Sequence, residues 1–175
     1  MTKFVSILGL TAAILVTGCA KKEQSTAAKA EGAAASPAEA SKAAPASEGA
    51  TVFEVTANDQ MKFGTTRLEV KAGATVRIVL NNVGTIPKVA MGHNIVVLKL
   101  GVDPLQYALA AAGAQATDYL PAARSGDVIA HTKLIGPKEK DEITFTAPSE
   151  PGEYPYICTF PGHFAAGMKG VLVVQ

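Results

Sequence analysis

From Thr51 to the C-terminus, short runs of alternating apolar and polar residues recur, separated by glycine- and proline-containing turns. Thr75 to Asn81 is the plainest: Val76, Ile78 and Leu80 fall on one face and Arg77 on the other, the period of two expected of a strand. Val52-Phe53-Glu54-Val55, Met61-Lys62-Phe63, Arg67-Leu68-Glu69-Val70 and Ile143-Thr144-Phe145-Thr146 alternate in the same way and are read as further strands. Lys71-Ala72-Gly73 supplies a turn. His93 to Lys99, with Ile95-Val96-Val97-Leu98 unbroken, predicts a central strand, whereas Val128 to Thr132 predicts a short or edge strand. Tyr154 to Cys158 and Gly170 to Val174 complete the set, and Asn82 to Gly92 reads as a loop delivering Met91-Gly92-His93-Asn94 to a strand start. One helical excursion is signalled by Asp103 as N-cap, Pro104 in the first turn and Gln106 three residues after the cap. Leu105, Leu109 and Ala112 share its predicted apolar face, Gly113 stops it, and Tyr119-Leu120-Pro121 anchors the segment that runs on to Asp127. The pattern predicts an all-β domain over residues 51–175, an antiparallel Greek-key sandwich or barrel with one short helix.

The chain before that domain has a different composition. Residues 1–18 carry one lysine, Lys3, then an apolar run from Phe4 to Val16 and small residues, the layout of a secretory signal peptide. That run is too short for a comfortable membrane helix. Val16-Thr17-Gly18-Cys19 resembles a bacterial lipobox, which implies that Cys19 becomes the lipid-bearing first residue of the mature protein. Residues 20–50 are almost only Ala, Ser, Lys, Glu, Gly and Pro, and have no aromatic or branched aliphatic residue with which to form a core. They are read as a tether, spanning roughly 30 Å as a flexible coil and ~100 Å when stretched. The expected location is the periplasm, with the domain anchored to a membrane through its N-terminal lipid. Charge adds little: from Thr51 onward eleven Lys and Arg balance eleven Asp and Glu, leaving no basic patch for nucleic acid.

Chemistry concentrates between Glu153 and Gly170. Cys158, His163 and Met168 lie within eleven residues, after one strand-like run and before the last. Thiolate, imidazole and thioether suit copper, and a second imidazole would complete a set of Cys, two His and a weak axial Met. His93, at a strand start far upstream, is the candidate, whereas His131 has no soft residue near it and is read as a surface histidine. If Cys19 is acylated, Cys158 has no disulfide partner, and metal ligation explains an unpaired thiol in an exported protein.

Six strings in order then carry a resemblance: Asn58-Asp59-Gln60-Met61, Met91-Gly92-His93-Asn94, Asp118-Tyr119-Leu120, Val128 through Gly136, Cys158 through His163, and Met168-Lys169-Gly170. Over nearly all of residues 51–175 the domain resembles a cupredoxin of the azurin type. The resemblance implies one type 1 copper ion held by His93, Cys158 and His163, with Met168 as weak axial ligand and the Gly92 carbonyl as a distant fifth. It further implies that the Asn94 side chain ties the two ligand loops together, and that amides near Asn94 and Phe160 donate hydrogen bonds to the Cys158 sulfur. The sequence departs from the azurin pattern in three ways. His163 and Met168 are five residues apart rather than four, with Gly167 as the insertion and a spacing similar to auracyanin and plastocyanin. No cysteine is present for an N-terminal disulfide, and Ile95 stands where azurins often place an indole.

The expected function is one-electron transfer, without catalysis, by a monomer. Met61, Ile86, Met91, Phe164 and Ala165 would form an apolar patch around His163 for brief docking with redox proteins, since electron-transfer interfaces are small and weak. A copper chaperone or buffer is the alternative, although such sites tend to be exposed and richer in Met or Cys. An enzyme using a Cys158 nucleophile and a His163 base would need an orienting group that the sequence does not offer.

Overall fold

The computed structural model describes residues 49–175. The expected signal segment, Cys19 and residues 20–48 of the tether lie outside the described residues.

Eight strands form two sheets: β1 (Thr51–Ala57), β2 (Arg67–Val70), β3 (Thr75–Asn82), β4 (Val96–Leu98), β5 (Val128–His131), β6 (Lys140–Thr146), β7 (Gly152–Ile157) and β8 (Lys169–Val174). One sheet has the order β1-β3-β6 and the other β2-β8-β7-β4-β5. Buried residues from both sheets, including Val55, Leu68, Val76, Ile78, Leu80, Val97, Tyr156 and Leu172, make one core between them. The architecture is the expected Greek-key sandwich, with one difference in strand direction. β1 pairs with β3, and β2 with β8, in parallel. The cause is topological: β2 leaves the first sheet to join the second, so the chain returns as β3 beside β1 running the same way.

The unbroken apolar run around β4 is explained by burial on both faces. Ile95 and Val97 point into the core between the sheets, while Val96 and Leu98 join Ile157 in a second cluster beneath a helix. That helix, α2 (Pro104–Ala112), starts where expected: the Asp103 carboxylate accepts from the Leu105 amide at 2.8 Å and the Gln106 amide at 3.4 Å. Its buried face is not the one expected. Tyr107 and Ala111 are buried, whereas Leu105 and Leu109 are 47% and 61% exposed and Ala112 is exposed. Tyr107 and Ala111, one turn apart, fill the space over β4, and a large ring there buries more surface than a leucine would.

Two local expectations need correction. Met61-Lys62-Phe63 is not a strand: Asn58 Oδ1 accepts from the amides of Gln60 (3.1 Å) and Lys62 (3.2 Å), Met61 has φ 56°, and only Phe63 bridges to Ala57. The side chain of Asn58 thus competes successfully with the ladder for backbone donors. The loop after β3 contains a single-turn helix, α1 (Lys88–Met91), started by Pro87. Two short 3-10 turns, Gln115–Thr117 and Ala122–Asp127, complete the excursion before β5, which is an edge strand as expected. His131 is exposed at its end.

Candidate metal centre

Cys158 follows β7 directly and Met168 immediately precedes β8, so the ligand-bearing loop joins two paired strands. Its backbone is tied internally. The Cys158 amide donates to the Met168 carbonyl at 3.1 Å, and the Met168 amide donates to the His163 carbonyl at 2.9 Å. The His163 amide donates to the Phe160 carbonyl at 3.1 Å, and the Gly167 amide to the Phe164 carbonyl at 2.9 Å. Gly167, within the span that is one residue longer than the azurin spacing, has φ 95°, in the left-handed region that glycine enters without steric cost.

His93 reaches this loop from the other side of the fold end. It lies between α1 and β4 and is fixed by two backbone hydrogen bonds with Ile135, its amide donating at 3.0 Å and its carbonyl accepting at 2.8 Å. The Thr132 hydroxyl accepts from the Ile95 amide at 2.9 Å, which pins the start of β4 against the strand that follows the excursion. Gly92 fits because a Cβ there would sit 2.9 Å from the Lys88 carbonyl oxygen and 3.0 Å from Leu134.

The structure brings together the residues singled out in sequence. Donor atoms of His93, Cys158 and His163 all lie within 4.8 Å of one another. Cys158 Sγ is 3.4 Å from His163 Nδ1 and 4.0 Å from the Gly92 carbonyl oxygen. The two imidazole centroids are 5.0 Å apart. All three residues and Met168 are buried. Asn94 lies alongside: its Nδ2 donates to Thr159 Oγ1 at 2.8 Å, and its Oδ1 accepts from the Thr159 amide at 2.9 Å. The side chain therefore bonds the His93 segment to the loop of Cys158.

Burial sets the protonation states. It pushes the Cys158 thiol up to about 11, while backbone amides of Asn94 and Phe160 pull the other way. Burial brings His163 down to about 4, helped by the neighbouring His93. His93 is lowered by burial too, opposed by the Asp59 carboxylate and the Asn58 carbonyl. Two neutral imidazoles offer the lone pairs that a metal cation needs, and the Cys158 thiol would give up its proton on ligation; a thiol held protonated by burial is the opposite of an activated nucleophile, whose thiolate must be favoured. Among the described residues both ring nitrogens of His93 are buried and neither makes a well-formed hydrogen bond, the Asn58 carbonyl being the acceptor that faces the ring. A buried polar atom left unpaired costs about 1–3 kcal/mol, and a metal ion between the three donors would take the lone pair of the unprotonated ring nitrogen. The residues fit copper in number, softness and burial.

Some of what supports the site was not visible in sequence. Thr159, Thr132 and Ile135 carry no local signal, since each acts through pairing across strands or loops. An aromatic stack also adjoins His163: Phe160 lies at 4.7 Å and contacts Tyr119 edge-on at 5.1 Å. Of the expected docking residues, Ala165 is exposed and Met61, Ile86, Met91 and Phe164 are half-buried. Phe164 packs partly against the α2 cluster with Lys169 Nζ 4.9 Å from its ring centre. Val89, on α1, is 83% exposed and adds apolar surface that the sequence reading did not include.

A two-sheet Greek-key domain with a buried Cys, two His and a Met at one end defines a mononuclear copper protein with a type 1 site. Comparison with known proteins agrees. Residues 50–175 match the model of copper binding proteins of the plastocyanin/azurin family, and the chain belongs to that family. It is similar to outer membrane protein H.8 of Neisseria meningitidis serogroup B, 42% identical over 113 residues, covering 63% of this chain. The match spans 61% of that relative's own length. It is also similar to the azurin of Pseudomonas aeruginosa, 39% identical over 125 residues, covering 70% of this chain and 83% of the azurin. Among solved structures, auracyanin A, a "blue" copper protein of Chloroflexus aurantiacus, superposes with a TM-score of 0.65 at 38% identity, covering 73% of this chain and all of that one.

Proposed function

We propose that this protein carries single electrons through one type 1 copper ion, outside the cytoplasmic membrane and tethered to a membrane by lipid on Cys19. The observation that carries the reading is the buried three-donor cluster, in which, among the described residues, neither His93 ring nitrogen makes a well-formed hydrogen bond and the Cys158 thiol has no disulfide partner. Copper bound there would supply a one-electron couple. The protein's part is to hold His93, Cys158 and His163 in one arrangement for both oxidation states, which the Ile135 and Asn94 hydrogen bonds favour by fixing both loops. His163 and Cys158 would be the ligands, with His93, and Met168 the weak axial donor; the Gly92 carbonyl lies beside the sulfur.

Electrons would pass at the end of the molecule that carries His163. Ala165, Met61, Ile86, Met91 and Phe164, exposed or half-buried, would form its apolar rim, with the exposed Val89 extending it, and transient docking there needs little buried area. Redox proteins are the proposed partners, met by a monomer. The lipid anchor rests on the Cys19 motif, and on the similarity to a relative named as an outer membrane protein. Among the described residues no helix is long and apolar enough to cross a membrane, so attachment would come from the segment before the domain.

Adding Cu(II) to the purified protein tests the reading. An intense visible thiolate-to-copper band is expected, lost on one-electron reduction with the metal retained and absent from Cys158→Ser. Reduction that releases the metal would favour a copper chaperone or buffer, and absence of the band in the unaltered protein would overturn both the site and its function.

A further inference from the structure

The turn Asn58–Lys62 sits on the site end of the sandwich, and its last residue makes a contact that copper ligation does not account for. Lys62 Nζ donates to the carbonyl oxygen of Ala166, across 104 positions of sequence, within the loop between His163 and Met168. Other carbonyls of that loop are taken from within it. Gly162 accepts from the Ala166 amide, Phe164 from Gly167 and His163 from Met168. The Ala166 carbonyl, at the loop's outer bend, has among the described residues only Lys62 as a donor.

The lysine is aimed by its own surroundings. On one side the Asn58 side chain holds the Lys62 amide at 3.2 Å and Met61 takes a left-handed φ of 56°. On the other, Phe63 is buried, bridges to Ala57 and packs its ring 5.5 Å from that of Tyr156. A flexible side chain thus leaves from a fixed base, which reduces the entropy lost in reaching the loop. The receiving end is matched. Gly167 takes the left-handed turn, and a Cβ on it would lie 2.7 Å from Lys62 Nζ, which places the ammonium group directly against this bend. Gly167 lies in the His163–Met168 span, which is one residue longer than the azurin spacing, and Met168 follows it directly.

We infer that Lys62 is a positioning residue for the copper site: it clamps the enlarged ligand loop at Ala166 and thereby fixes where Met168 enters. This rests on the copper reading above. By the same contact the β1–β2 turn becomes a brace for the loop, since the turn also holds the segment before His93 through Asp59, whose carboxylate accepts from the Thr85 amide (2.9 Å) and hydroxyl (2.9 Å). Lys62→Met keeps the length of the side chain and removes its donor, and Lys62→Arg restores a donor.

Two readouts are needed. In the copper-free full chain, Lys62→Met should speed exchange of the Met168 amide by about three- to tenfold, the range of one lost hydrogen bond, and Lys62→Arg should return most of the protection. In the copper-loaded protein, Lys62→Met should keep the visible band but shift its intensity pattern and the reduction potential, with Arg again restoring both. Unchanged exchange together with an unchanged spectrum overturns the inference. A shifted potential with unchanged Met168 exchange also overturns it, because the lysine would then act by charge alone. Failure of the unaltered protein to show a copper band would instead sink the underlying reading, so the two failures are told apart.

Discussion

Asn94 is the side chain whose removal has the most calculable cost. It is fully buried and spans the two ligand loops through Thr159, with bonds of 2.8 and 2.9 Å and a third contact of 3.2 Å from the Thr159 hydroxyl. Asn94→Ala strands the Thr159 amide in a site that water does not reach, at about 1–3 kcal/mol for an unpaired buried donor. Loss of the second bond and a small void add about 1 kcal/mol more. The total is about 2–4 kcal/mol, a large fraction of the 5–15 kcal/mol typical of a domain this size. Urea unfolding of the copper-free chain should show the midpoint lowered with its slope unchanged. A cycle with Thr159→Val, which removes only the hydroxyl, should give a coupling of about 1 kcal/mol. If Asn94→Ala costs less than about 0.5 kcal/mol, or the cycle is additive, the loops are not held together through this side chain and the account of the site's rigidity is wrong.

Four further outcomes rest on the same geometry. Copper-free stability should fall as pH drops from 6.5, the ordinary value for His163, towards its folded value of about 4, because the unfolded chain binds the proton first. The loss is on the order of 3 kcal/mol for His163 alone and is checked by urea midpoints across that range. Above pH 9.0 the sign reverses, since the unfolded chain releases the Cys158 proton well before the folded thiol at about 11, so stability should decline with rising pH. Met168→Ala should retain copper and shift its potential; loss of copper would show that the axial role is misassigned. Ala165→Asp should slow electron exchange with redox partners by about tenfold or more while leaving the copper spectrum intact, through the cost of burying a charge in an apolar contact, and equal rates would count against docking at that rim.

The strands and the donors were legible in sequence for different reasons. Val76, Ile78 and Leu80 announce β3 because a half-buried strand writes its two faces directly into alternation. Cys158, His163 and Met168 are close in sequence, and their residue types are scarce enough to stand out. His93 needed pairing with that loop. The misreadings share a cause. Leu105 and Leu109 formed a plausible apolar face, but the face that β4 and β7 accept is set by Tyr107 and Ala111, and tertiary packing overrode the local pattern. Met61-Lys62-Phe63 alternates like a strand, but the side chain of Asn58 takes the amides a ladder would use. Thr159, Thr132 and Ile135 fall inside the strings that carry the resemblance, but what each does depends on a partner far away in sequence and has no local mark.

That distinction bears on how the site is built. Donor identity is a local property of the chain, so the kind of metal can be argued from residue types. Donor placement is not: the same Cys-to-Met loop could sit at several depths, depending on what grips its ends. Here β7 and β8 hold the two ends in register, with Ile157 opposite Lys169, and the Cys158 amide extends that pairing to the Met168 carbonyl. An added residue can therefore be absorbed only at the outer bend. A left-handed Gly167 absorbs it, and the Ala166 carbonyl, turned outward by that bend, meets Lys62. Lengthening the loop thus leaves the strand-anchored Cys158 and Met168 backbones in place and confines the change to the path between His163 and Met168.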